Sequence, residues 1–312
     1  MAKKQATKKK VTPNTAKAAQ PDVSAPRNLK ELVREYDVLL MLYPKGTDGY
    51  FTNSIRTEDE RKVYRAIREK KDKKEKLLVF LDTSGGNVYT AMKIMDTFRQ
   101  YYKSVTIAVA QQAKSSGTMM CCGADKLIMS PISELGPLDK PMTHPNDETS
   151  TISALDIVKS IDGMIDTAVT RQLQMADEIC NERGVPMPRS LEISSKAIAE
   201  LITPMLCRED VKVYNQAQRL LSIAETYCEE FLSKYMLGYI TNTKLKEKVC
   251  KLLVRQLVWL YPDHAFAIRR SELEDWFFII EKSENVEYWD ELWDEYEKNI
   301  GNTEKMIKYL SV

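Results

Sequence analysis

Four apolar runs, the first three each followed by a helix-like stretch, set the pattern of the first half of the chain. Tyr36 to Tyr43 reads as a strand ended by Pro44 and Gly46, and Leu77 to Leu81 reads as a second. Ser104 to Ala110 and Lys126 to Met129 are the third and fourth. Between the first two, Thr57 with Glu60 has the spacing of a capping box and predicts a helix to about Lys74. Asn87 can cap the next helix, where Ala91, Ile94, Met95, Phe98 and Tyr101 recur at helical spacing. A short helix from Ser115 to about Cys122 precedes the fourth strand. Strand and helix in alternation predict right-handed βαβ crossovers and a parallel sheet. From about Thr151 the pattern turns almost wholly helical. It predicts a long amphipathic helix from Ala154 to Arg183, and one or two shorter ones between Ser190 and Leu206. A stripe through Val213, Ala217, Leu220, Ala224, Phe231 and Tyr235 marks another helix, and Thr243 to Tyr261 a further one stopped by Pro262.

These elements give an expected organisation in four parts. Residues 1–28 form a polar, Lys-rich tail without apolar periodicity, read as disordered; its basic run is a solvated tail before it is a nucleic-acid contact. Residues 29–150 form an α/β core and 151–272 a helical extension of the same domain. Residues 273–312 form an acidic, aromatic helical segment, whose Trp276, Trp289 and Trp293 suit a core or an oligomer contact.

Composition narrows the classes. The 46 Lys and Arg against 45 Asp and Glu give no overall charge to argue for nucleic acid or membrane. No apolar run approaches the length of a membrane span, and the N-terminus lacks the apolar stretch of a secretory signal. The six cysteines show no metal-ligand spacing, and Cys121 and Cys122 fall on an expected buried helix, the usual place of reduced cytoplasmic thiols. A cytoplasmic protein without metal or cofactor is the resulting expectation; neither a dinucleotide glycine motif nor an ATPase phosphate loop occurs.

The chemistry concentrates at two consecutive strand-to-helix turns. Thr83-Ser84-Gly85-Gly86-Asn87 follows the second strand, and Lys114-Ser115-Ser116-Gly117-Thr118 follows the third. Parallel α/β sheets bind ligands at such carboxyl ends. A serine there lies beside free backbone N–H groups, which suits a developing oxyanion, although serines also serve simply as helix caps. The Ser-Gly-Gly turn, the later Ser-x-Gly, Gly123-Ala124-Asp125-Lys126-Leu127-Ile128-Met129 and Ser133-Glu134-Leu135-Gly136-Pro137-Leu138-Asp139 together resemble the ClpP/crotonase superfamily. Within it the chain resembles the serine dehydrogenase proteinase family, relatives of the signal peptide peptidases.

That resemblance implies a ClpP/crotonase-like parallel βαβ core with a largely α-helical C-terminal half, and the activity of a serine peptidase. It places the nucleophile on Ser115, the oxyanion-hole N–H groups on Gly85 and Ser116, and the substrate backbone along Gly86 and Asn87. The base is less constrained. Relatives of one branch use a lysine at the start of a helix, which falls on Lys159; His144 and Lys140 are the alternatives. His264 lies in Tyr261-Pro262-Asp263-His264-Ala265-Phe266-Ala267-Ile268, which resembles a family stretch with glycine in place of Ala265, and is expected near the site. Lys114 and Lys140 depart from the family pattern, and both are candidate site neighbours. The resemblance further implies a homo-oligomer acting on polypeptide, with any unfolding motor a separate partner chain. A catalytically degenerate scaffold on the same fold is the alternative, and an acyl-CoA enzyme of crotonase type fits the motifs less well.

Overall fold

Each core strand is a run of apolar residues whose alternate side chains enter two different cores. This is the signature of a parallel sheet covered on both faces. The computed structural model describes residues 26–43, 54–139, 141–144, 147–208, 210–300 and 304–310; most of the expected N-terminal tail lies outside them. In chain order the first half contains α1 (Leu29–Glu35), β1 (Tyr36–Leu42), α2 (Thr57–Glu69), β2 (Lys76–Thr83), α3 (Val88–Tyr101), β3 (Ser104–Ala113), α4 (Ser116–Cys122), β4 (Lys126–Met129) and β5 (Glu134–Leu135). A hairpin of β6 (Pro141–His144) and β7 (Asp147–Ser153) leads to four helices: α5 (Ala154–Arg183), α6 (Met187–Leu206), α7 (Val211–Phe231) and α8 (Thr243–Arg255). The chain closes with β8 (Ile268–Arg269), α9 (Arg270–Glu274), β9 (Ile280–Lys282), α10 (Trp289–Ile300) and β10 (Met306–Tyr309).

The main sheet runs β10-β1-β2-β3-β4-β9, with β5 and β8 attached beyond the end of β3. The pairs from β1 through β4 to β9 are parallel, and β10 is antiparallel on β1. Leu77, Val79 and Leu81 of β2 point into a core shared with α2, α3, α4, α5, α7 and α8. Leu78 and Phe80 point to the other face, under α1 and α10. There Phe80 meets Trp289 and Tyr296 edge-on, with ring centroids 5.8 and 6.1 Å apart.

Where the sequence signals were strong the elements fall as expected. α5 starts and stops as predicted because Ser153 accepts from the Asp156 N–H, and Gly184 adopts the left-handed conformation that ends it. Three expectations need correction. The cap of α2 is made by Arg56 N–H on Asp59 Oδ2 at 2.9 Å, so the box is one residue earlier than Thr57 and Glu60. The same helix stops at Glu69 rather than near Lys74. The buried Asp37 carboxylate collects Lys70 Nζ at 3.3 Å and Lys74 N–H at 3.2 Å, which draws the lysine run towards β2. The segment after Leu273 is not purely helical, because β9 and β10 extend the sheet at opposite edges.

Cys121, Cys122, Cys228 and Cys250 are buried together, with the Cys122 and Cys228 sulfurs 3.8 Å apart. Burial raises the Cys121 and Cys228 thiols well above their ordinary range and pushes Cys250 up to about 12. Because the thiolate is the reactive form, titration of the native protein with a thiol-specific disulfide reagent should modify Cys207 and the half-buried Cys180 alone. The other four should react only on unfolding; rapid native modification of any of them would contradict this packing.

Candidate active site

Three short segments meet because β5 bridges β3 and β8. Gln112 and Ala113 pair in parallel with Glu134 and Leu135, which pair antiparallel with Arg269 and Ile268. Ser115 follows the end of β3, Asp139 follows β5, and His264 precedes β8. The sheet register therefore delivers all three to one place. At the neighbouring turn after β2, Gly85 and Gly86 have φ of 102° and 140°, a region that disfavours any side chain. A Cβ on Gly85 would stand 2.8 Å from Ser115 Cβ, and one on Gly86 2.3 Å from Ile55 O.

Ser115 has φ 49° and ψ −115°, an uncommon conformation for a residue with a side chain, costing of order 1–3 kcal/mol. It occupies the N-cap position of α4 but makes no side-chain cap bond. Its Oγ donates instead to Asp139 O at 3.3 Å. The simple cap function weighed from sequence is thus not what this hydroxyl does. Ser116 is only 2% exposed, and its hydroxyl has no hydrogen-bond partner among the described residues. Between the two serines, the half-buried Ser115 is the one whose side chain reaches solvent.

Asp139 is 1% exposed and is the residue that sequence reasoning passed over; it was legible only as part of a turn motif. Its Oδ1 accepts from Leu155 N–H at 3.0 Å, which anchors it to the start of α5. Its Oδ2 faces His264 Nδ1 at 3.8 Å, and both atoms are buried without a hydrogen-bond partner among the described residues. His264 is 33% exposed. A buried carboxylate oxygen and a buried imidazole nitrogen left facing each other are poised to pair on a small closure, and catalytic hydrogen bonds are often long before substrate binds.

The ammonium of Lys159, the expected base, has a main-chain partner. Lys159 is exposed on α5, and its ammonium donates to Tyr261 O at 3.0 Å. Lys114 is buried and ion-paired with Glu134 at 2.6 Å. Lys140 lies outside the described residues, and His144 closes β6. Of the expected oxyanion donors, Gly85 N–H is directed to Thr83 Oγ1 at 3.1 Å. The N–H groups of Gly86 and Ser116 have no partner among the described residues. Asn87 caps α3, and its own N–H donates to Ile55 O at 2.8 Å, so Ile55 already occupies one side of the expected substrate edge. Among the described residues no group of three His, Cys, Asp or Glu could hold a metal ion, and no helix is long and apolar enough to cross a membrane.

A parallel sheet in the order β1-β2-β3-β4, with a glycine pair after β2 and a strained serine after β3, defines a ClpP/crotonase-type core. Residues 27–180 match the family of ClpP-like SDH-type serine proteinases, and this segment of the chain belongs to that family. A stretch of 111 residues is 32% identical to an uncharacterised protein of Methanocaldococcus jannaschii, and covers 34% of this chain and 38% of that protein. Two solved structures of the 1510-N membrane-bound stomatin-specific protease are each 19% identical to the chain. A serine-to-alanine mutant covers 45% of this chain at a TM-score of 0.27. A lysine-to-alanine mutant in complex with a substrate peptide covers 50% at 0.28. The matches span 38% of the curated relative's length and 64% of each solved chain.

Proposed function

We propose that this protein is a serine peptidase that works through an acyl-enzyme on Ser115, with His264 as the general base and Asp139 as its orienting carboxylate. One observation carries this reading. Asp139 joins both groups, accepting Ser115 Oγ on its main chain and facing His264 Nδ1 with its side chain. With Nδ1 turned to the carboxylate, Nε2 is the nitrogen left to take the serine proton. Ser115 Oγ attacks the peptide carbonyl as His264 removes its proton; the tetrahedral oxyanion is held by the Gly86 and Ser116 N–H groups. The imidazolium then protonates the leaving amine, and water admitted through the same base hydrolyses the ester. His264 takes the place that the sequence offered to Lys159. Gly86 takes that of Gly85, whose N–H is already engaged.

The substrate in this reading is an extended polypeptide lying beside Gly86, opposite the side already paired with Ile55. A cytoplasmic homo-oligomer supplied by a separate unfolding partner belongs to the same proposal and rests on the family resemblance. A second reading, a scaffold on the same fold, is favoured by the 3.8 Å gap between Asp139 and His264 and by the Thr83 bond to Gly85.

The test is intact mass after fluorophosphonate treatment of the wild type, Ser115→Ala and Ser116→Ala. The expected result is one adduct, lost only with Ser115→Ala. An adduct lost only with Ser116→Ala would move the nucleophile by one residue. No adduct on a folded wild type would leave the scaffold reading.

A further inference from the structure

Lys114 immediately precedes the candidate nucleophile and has no part in the chemistry just described. It is only 9% exposed, and lysines are seldom buried without partners. The stem is held against Gly136, where an added Cβ would stand 2.6 Å from Lys114 Cδ. Beyond it the ammonium meets three oxygens: Glu134 Oε1 at 2.6 Å, Ala265 O at 3.2 Å and Phe266 O at 3.3 Å. An ammonium has three N–H donors and no acceptor, so these three partners match its full capacity.

Two of the three oxygens lie on the loop that carries His264, directly after it. On the other side of His264, Tyr261 O accepts from Lys159 at 3.0 Å. Asp263 folds the loop on itself, accepting Ala265 N–H on its carboxylate at 2.6 Å and Phe266 N–H on its carbonyl at 3.1 Å. The loop is thus internally braced, and lysine ammonium groups from outside it grip its backbone both before and after the histidine.

We propose that Lys114 is a positioning residue that locks the His264 loop to the nucleophile turn. Its main chain leads directly into Ser115, while its ammonium fixes the peptide groups beside His264. One residue therefore sets the distance between nucleophile and base, with Glu134 as its counter-charge and Lys159 as a weaker, exposed second grip. This rests on the reading of Ser115 and His264 as nucleophile and base. Removing the ammonium would leave Glu134 without its counter-charge and the two loop carbonyls without their donor, at part-buried positions.

The experiment compares Lys114→Met, Lys114→Arg and Glu134→Gln in the full chain by two readouts. Hydrogen exchange at residues 261–266 reports the loop whether or not the protein is a peptidase. The rate of fluorophosphonate labelling across pH reports the site. For Lys114→Met, Ala265 and Phe266 amide exchange should rise at least tenfold. Labelling should slow about 100-fold with the pH midpoint unmoved, since a displacement of about 1 Å is enough for such a loss. Lys114→Arg should recover part of both, and Glu134→Gln, which keeps an acceptor, should lose less than Lys114→Met. If Lys114→Met fails to fold, the other two variants carry the comparison. Faster exchange in a protein whose wild type takes no label would sustain the lock and remove the peptidase reading. Lost labelling with unchanged exchange would overturn the lock, and so would no change in either readout.

Discussion

Replacing His264 with alanine is expected to slow fluorophosphonate labelling of Ser115 by about 10²–10⁴-fold, the usual contribution of a positioned general base. Asp139→Asn should fall in the same direction. Asparagine can still accept Leu155 N–H through its carbonyl, but it cannot offer a negative charge to His264. Lys159→Met should cost less than about tenfold, because it removes one part-buried bond to Tyr261 O worth about 1 kcal/mol. The three variants decide between His264 and Lys159. Abolition by Lys159→Met with His264→Ala unaffected would restore a Ser/Lys pair and detach Asp139 from the chemistry. The comparison needs matched folding, which the melting temperature of each variant supplies.

Deleting residues 273–312 should leave an insoluble or unfolded protein rather than a trimmed enzyme. The acidic, aromatic segment covers, together with α1, one face of the central sheet. Without α10, Leu40, Leu78, Phe80 and Ile128 lose the side chains packed over them, among them Trp289, Leu292 and Tyr296. A net stability of about 5–15 kcal/mol cannot absorb the exposure of such a face. The milder Leu292→Ala, at a fully buried position, should cost about 2–5 kcal/mol in urea unfolding. The segment also reaches the site. Tyr296 OH donates to Asp82 Oδ2 at 2.8 Å, and Asp82 Oδ1 accepts Gln112 N–H at 3.1 Å, so α10 ties together the ends of β2 and β3. Burial and the neighbouring Asp82 raise the Tyr296 hydroxyl well above the usual phenol range, so it stays a donor. A soluble, folded 1–272 fragment would refute this account of the core.

What the sequence determined by itself follows from local physics. Strands buried on both faces must be nearly continuous apolar runs, so β1 to β4 were legible in order. Their parallel pairing followed from the helices between them. The Asn87 cap before α3 and the span of α5 were legible too. The glycine pair and the serine after β3 were readable as a site because only small residues permit two turns to approach so closely.

The tertiary structure alone decided which turns come together near the serine. β5, β8 and β9 are two or three residues long, too short to leave a period in the sequence, yet β5 and β8 bring the Asp139 and His264 turns beside Ser115. Lys114 and Ala265 are 151 positions apart, and Asp82 and Tyr296 are 214 apart. No local pattern encodes such pairs. A lysine at a helix start looks the same in sequence whether its ammonium meets a nucleophile or a main-chain carbonyl. The tertiary fold is what brings Lys159 to Tyr261 O and Asp139 to His264.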